Sequence, residues 1–456
     1  MVDGAMDAPR PTKQLGLLDA ICIMVGVVVG AGIYESPALV AANVPGPLAL
    51  LLVWVLGGAL ALVGALCYAE LAAAYPRSGG DYVYLTRAFG PATGFLFGWA
   101  ELLVIRTGSI AAMAFVFADY MARLAPLGPA APLAYAAALV ALLSLVNALG
   151  VREGTWTQNL LTASKVAGLA AIALVGLLAP LAGSPRPALG HGPGSLALAM
   201  IFVLWTYGGW NETAYVAAEV KRPQVNVPRS LLLGTGLVTA VYVAINAVFL
   251  YTLGFDGLRS SPAVAADVLA GPLGASGERL MAVTVVLAAM GAVNGQIFTG
   301  ARISQAVGGD HRVLARLAGS SPRRGTPVAA LAAQGLITVA LIATFGSRAG
   351  FEALVKYTAA VFWGFFLLTG IALFVLRWRD PGRPRPYAVV GYPVTPLLFC
   401  ASSAYMLYGS VTHAPVESLW GGAIVLSGLP IYWLSSRNAR TTPAPSERGL
   451  AHERVA

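Results

Sequence analysis

The chain has 456 residues, 57% of them hydrophobic and 11% charged, with a formal net charge of +9. Soluble domains carry about 25% charged residues, so this supply excludes a large soluble core and predicts a polytopic membrane protein. A basic balance alone would also fit a nucleic-acid partner, but the placement of the charges removes that reading.

Residues 1–14 form a polar tail. No small-residue cleavage site ends a short apolar run there, so no removable signal peptide is expected. A membrane helix needs ~20 mostly apolar residues. Twelve such spans follow, at 17–43, 47–73, 91–121, 132–149, 156–181, 195–218, 230–253, 278–306, 327–345, 351–376, 393–412 and 418–435. They make one transmembrane unit over 15–435, and 436–456 lacks apolar periodicity and reads as a disordered cytoplasmic tail.

Twelve spans put both termini on one side. With the termini inside, and with Arg279 and Arg302 near the ends of span 278–306 counted with the adjoining segments, 21 of the 29 basic residues fall in inward segments, 5 in outward loops and 3 within spans. That asymmetry follows the positive-inside rule, so the charge reports topology and requires no nucleic acid. Arg supplies 25 of the 29. With the heavy use of Ala, Gly and Val, this fits a bacterial cytoplasmic membrane protein with cytoplasmic termini. Cys22, Cys67 and Cys400 all lie in apolar spans and read as packing thiols rather than disulfides. His191, His311, His413 and His452 fall in loops or the tail. No metal site, cofactor or catalytic group is therefore expected, and an intramembrane enzyme or a channel has little support.

Span 1 is interrupted at Gly30-Ala31-Gly32 and span 6 at Tyr207-Gly208-Gly209-Trp210. The two are five spans apart, so spans 1–5 (15–181) and 6–10 (195–376) would run in opposite senses, with spans 11 and 12 (393–435) outside the repeat. Matched breaks in inverted halves point to a transporter's binding site. An unwound helix frees N–H groups on one side of the break and C=O groups on the other, an anion site beside a cation site. A zwitterionic amino acid has that shape. Close helix packing by small residues is the competing reading of each glycine.

Several charges sit within spans. Lys165 lies about 16 Å deep, roughly half of a ~30 Å core, too far to snorkel, so its ammonium faces the protein interior. Glu101 and Arg106 are five residues apart, ~140° around an α-helix, and are expected to pair with other helices rather than with each other. Asn294 and Thr299 place polar groups on span 8, either along the pathway or tying helices together. Lys356 is close enough to an outer helix end to snorkel.

The segments GAGIYESP, YAELAAAYPRSGGDYVYLTRAFG, WAELLVIR, LWTYGGWNETAYVAAEVKRPQVNVPRS and GAVNGQIFTGARISQAV resemble the amino acid–polyamine–organocation superfamily, closest to its L-type amino acid transporter-like permeases. The resemblance spans Leu15 to Tyr408. It implies an all-α integral membrane protein with the LeuT fold, two inverted five-helix repeats with helices 1 and 6 broken, and transport of amino acids by alternating access. It places the substrate carboxylate on the backbone of Ala31 and Gly32, and the amine on carbonyls near Val28, Trp205, Thr206 and Gly208, with Trp205 as the gate.

It also puts Lys165 where sodium-coupled relatives hold an ion. That implies sodium-independent exchange or proton symport of neutral amino acids, with Lys165 a fixed charge or a proton carrier. Glu35 and Glu212 depart from the family pattern. Each either pairs structurally or contacts a proton or a cationic substrate, which keeps a cationic amino acid or polyamine carrier as the alternative. The loop after span 3, ARLAPLGPAAP, has no cysteine for a disulfide-linked heavy chain. The partners expected are therefore an amino acid, the lipid bilayer and, in the symport case, protons.

Overall fold

The computed structural model describes residues 14–178, 195–261, 263–321, 325–346 and 350–437. Of the expected tails, 1–14 and 436–456, residues 1–13 and 438–456 lie outside the described residues, as do His191 and His452, while 436 and 437 continue the last helix. Among the described residues ten helices are long and apolar enough to cross a membrane. Two further stretches, expected as spans 1 and 6, are each split into short helices.

The first is α1 (Leu17–Val28) followed by α2 (Gly32–Ala41), and the second is α9 (Leu196–Thr206) followed by the single turn α10 (Glu212–Tyr215). Between the two split stretches lie α3 (Pro47–Ala74), α4 (Asp81–Phe89), α5 (Pro91–Ala100), α6 (Arg106–Leu124), α7 (Ala131–Leu149) and α8 (Val151–Leu178). After α10 come α11 (Pro223–Ser260), α12 (Val264–Leu273), α13 (Ala275–Asp310), α14 (Val328–Phe345), α15 (Gly350–Arg379), α16 (Val394–His413) and α17 (Pro415–Arg437).

Proline sets several starts: Pro47, Pro91 and Pro223 occupy the first turn of α3, α5 and α11, where a missing N–H costs nothing and the ring's φ suits the helix. The inward segment expected as a loop holds a helix of its own. Gly79 and Gly80 turn at φ 114° and 50°, and α4 follows directly. α5 and α6 run on through one π-helical turn, Glu101–Ile105, and together make the most buried of the ten spans. α3 packs along α11 and α6 along α13, while α1 lies against α8, α11 and α13. The two breaks therefore sit inside the bundle, with no lipid-facing surface on which unpaired backbone would be exposed.

Candidate functional site

At the first break the helix stops at Val28, and Val29 leaves helical geometry with ψ 76°. Tyr34 N–H turns back to the Ala31 carbonyl, whereas the Ala31, Gly32 and Ile33 N–H groups have no hydrogen-bond partner among the described residues. On the other side of the break, the Val28 carbonyl accepts from Gly30 N–H (2.7 Å) and from the Tyr242 hydroxyl (2.8 Å), while the Val27 carbonyl accepts none. The second break has the same asymmetry. Trp205 and Val203 carbonyls are taken by Gly208 and Tyr207 N–H, while among the described residues the Leu204 carbonyl is free, and so are the N–H groups of Gly209, Trp210 and Asn211. Each break thus presents a positive and a negative helix end.

The breaks touch. Gly209 has φ +100°, and a Cβ there would lie 2.7 Å from Val27 Cγ1. A Cβ on Gly32 would lie 2.9 Å from the Trp205 ring. Tyr242 of α11 bridges the two, reaching the Thr206 carbonyl at 3.3 Å as well as that of Val28. Glycine is needed here for close approach of backbone to neighbour, and at Gly209 also for its dihedral.

Between the breaks is a cavity of about 150 Å³. Val28, Ala31, Gly32, Trp205, Thr206, Gly208 and Glu212 all line it, together with Val27, Leu204 and Gln296. Trp205 packs edge-on against Phe351 at 5.6 Å between ring centroids. The Thr206 hydroxyl donates within its own helix or to Ser36 of α2 (2.8 Å), so its side chain ties the half-helices together. Gln296 of α13 is buried and its Oε1 has no partner, a polar acceptor with nothing but the cavity to serve. Neither Gln296 nor Tyr242 stands out in sequence: each is one polar group in a long apolar span.

The expectation that Glu101 and Arg106 avoid each other is wrong. Arg106 Nε donates to Glu101 Oε2 at 3.0 Å, because the intervening turn is π-helical and Arg106 N–H bonds the Glu101 carbonyl five residues back. A π turn brings residues five apart onto one face. Arg106 also reaches across to Glu212 Oε1 at 2.7 Å, and Thr299 Oγ1 stands 2.5 Å from Glu212 Oε2. The guanidinium lies 5.2 Å from the Tyr215 ring centre. All three charged residues line the cavity, with Glu101 3%, Arg106 5% and Glu212 4% exposed.

Lys165 is fully buried and does not line the cavity. Its Nζ donates to the carbonyls of Gly26 (2.6 Å), Val29 (2.9 Å) and Ala288 (3.1 Å). An ammonium has three N–H bonds, and all three are used. Asn294 ties helices together: it accepts from Asn147 of α7 and donates to Gln158 of α8, each at 2.8 Å. It lines no part of the cavity. The Glu35 side chain lies outside the described part of the structure. Among the described residues no group of His, Cys, Asp or Glu is placed to hold a metal, and Cys22, Cys67 and Cys400 are free.

Residues 15–435 match the family model for amino acid permeases. The b(0,+)-type amino acid transporter 1 of Homo sapiens is 33% identical over 440 residues, covering 92% of this chain and 88% of the relative. The Large neutral amino acids transporter small subunit 2 of Mus musculus is 35% identical over 436 residues, covering 92% and 81%. The chain belongs to the amino acid permease family. Family and relatives are transporters, not enzymes, and the permease is a multi-pass membrane protein.

The permease has a second polar cluster beside the site. Asp81, buried at the start of α4, accepts from three hydroxyls: Tyr68 of α3 at 2.5 Å, Thr369 of α15 at 2.9 Å and Tyr215, which ends α10, at 2.7 Å. Burial pushes its carboxyl from 3.8 up to about 6 despite those donors. The folded state therefore binds the Asp81 proton more tightly than the unfolded chain, so this group contributes stability at low pH that is lost as pH rises from about 4 to 6. Asp81→Asn is expected to remove that component. The thermal midpoint of purified protein, followed from pH 4 to 7, should fall less steeply in the variant than in the parent.

Proposed function

We propose that this permease carries L-amino acids across the membrane by alternating access, independently of sodium. The observation that carries the reading is the pair of broken helices facing one cavity with unpaired N–H groups at Ala31 and Gly32 and unpaired carbonyls at Val27 and Leu204. The carboxylate binds the first set and the amine the second. Trp205, wide and rigid and half in the cavity, is the lid over the substrate. The Val28 carbonyl already has two donors, so in this reading the amine's acceptor at the first break is its neighbour Val27.

Ten long spans plus two split ones suit twelve crossings in the LeuT arrangement, and the α3–α11 and α6–α13 pairs suit two inverted repeats. The distribution of basic residues favours cytoplasmic termini, and the Arg-rich composition a bacterial cytoplasmic membrane. Lys165, with its three carbonyls, supplies a fixed positive charge in the manner of a bound cation. The relative named a small subunit belongs to a larger assembly. Here 125–130 lacks cysteine, and the chain works without a disulfide-linked partner.

Neutral substrates fit best. The cavity holds about five waters' worth of space, its remaining walls include Met113, Ile105, Val355 and Phe362, and Arg106 already engages Glu101 and Glu212. Uptake of a mixture of labelled L-amino acids into proteoliposomes tests the reading. It should proceed with choline in place of sodium, and should fall more than about tenfold in Trp205→Ala. Uptake that needs sodium, or that ignores the loss of Trp205, would contradict it.

A further inference from the structure

We propose that Glu212 is a proton-binding site of this carrier, loaded when a neutral amino acid is taken up; the proposal rests on the transport reading above. The charge count raises it. Glu101, Arg106 and Glu212 form one buried cluster of two carboxyl groups and one guanidinium, so it carries one net negative charge when both carboxyls are ionised. An uncompensated charge in so dry a place is costly. Lys165 forms no ion pair with either carboxyl: its Nζ donates to three carbonyls, and it does not line the cavity.

The other groups around Glu212 do not balance the charge either. Asp81 adds a further carboxyl behind Tyr215; α13 brings the uncharged Gln296 and Thr299, and its buried Arg302 is paired with Glu219 at 2.9 Å. Among the described residues, α1, α3 and α11, which also pack against α10, bring no charged side chain within ion-pair distance of Glu212. A proton is the cation that fits, because the cluster is nearly sealed and both Glu212 oxygens already meet side chains.

Thr299 lets Glu212 hold a proton or release it. Its Oγ1 is 2.5 Å from Glu212 Oε2 and 2.9 Å from the Gly295 carbonyl, yet a hydroxyl has one hydrogen. With Glu212 protonated, Oε2–H donates to Thr299 Oγ1 and Thr299 donates to Gly295. With Glu212 ionised, the Thr299 hydrogen swings to Oε2 and leaves the Gly295 oxygen. Both protonation states are therefore satisfied by one rotation. Glu101, by contrast, is hydrogen-bonded among the described residues to Arg106 alone. On loading, a hydronium ion reached through the cavity gives its proton to Glu212 and becomes water; on the opposite side Glu212 returns the proton to water.

Net uptake of L-alanine and L-leucine into proteoliposomes containing the pH dye pyranine tests the site. Uptake by the parent protein should acidify the lumen by about one proton per amino acid. Glu212→Gln should cut protons moved per amino acid more than about tenfold and flatten the dependence of uptake on pH. Thr299→Val should shift the midpoint of that dependence by about half a unit or more, and Thr299→Ser should restore it. The Thr299 pair decides the matter if Glu212→Gln fails to fold. Parental uptake without proton movement, parental stoichiometry in Glu212→Gln, or an unmoved midpoint in Thr299→Val would overturn the inference and leave the carrier reading standing. No uptake of any amino acid by the parent, even into vesicles preloaded with unlabelled amino acid, would instead count against the carrier reading.

Discussion

Gly32→Leu is expected to abolish substrate binding, lowering affinity more than about 100-fold, while leaving yield and solubility in detergent near those of the parent. A Cβ at Gly32 would stand 2.9 Å from the Trp205 ring and 3.2 Å from the Thr206 side chain, so either the ring or the start of α2 must move. Movement of α2 displaces the free N–H groups of Ala31, Gly32 and Ile33, and movement of the ring drives it into the cavity. Hydrogen bonds to a charged group contribute about 1.5–3 kcal/mol each, and two of them account for roughly two or more decades of affinity. The neighbouring Gly30 is a control: its Cβ would meet only ordinary contacts, the nearest at 3.7 Å, and Gly30→Ala should cost far less. Equilibrium binding of labelled substrate to purified variants reads both. Parental affinity in Gly32→Leu would show that the glycine serves helix packing alone.

Lys165→Met is expected to abolish transport and to lower the thermal midpoint. The substitution keeps the length of the stem but leaves the Gly26 and Val29 carbonyls at the break without a donor, whereas Ala288, inside α13, keeps its helical one. Each unsatisfied buried acceptor costs about 1–3 kcal/mol, so together they outweigh what a well-packed thioether returns. Two of the three oxygens belong to the end of α1 and the start of the first break, so Lys165 holds the geometry of the site without touching the cavity. A thermal-shift measurement beside an uptake assay separates the roles. A variant that keeps both the parental midpoint and parental uptake would remove Lys165 from the account.

The breaks were legible because glycine is the poorest helix former after proline, and glycine interruptions in two corresponding spans together favour a break over the helix packing that either alone would fit. The residues placed on them by resemblance, from Val28 to Gly208, do meet at one cavity. The side chains that hold the breaks together were not legible. Tyr242 is one aromatic in a span of 38 residues, and nothing in apolar periodicity marks the residue that bridges two helix ends 36 and 214 positions away.

The Glu101–Arg106 pair was misjudged for a definite reason: an α-helical wheel assigns them opposed faces, and a single π turn, which leaves no trace in composition, restores them to one. Asn294 could be read as a pathway group or a tie, and its partners Asn147 and Gln158, more than 130 positions away, decide for the tie. α4 and α12 were hidden in segments too polar or too short to register as spans.

The central claim is that the two broken helices hold the two charged ends of an amino acid. Equilibrium binding to the purified protein tests it with three ligands: the best-transported amino acid, its decarboxylated amine and its desamino acid. The account predicts that each truncated ligand binds more than about 100-fold more weakly than the intact amino acid. Binding of either within a few-fold of the intact amino acid would contradict it.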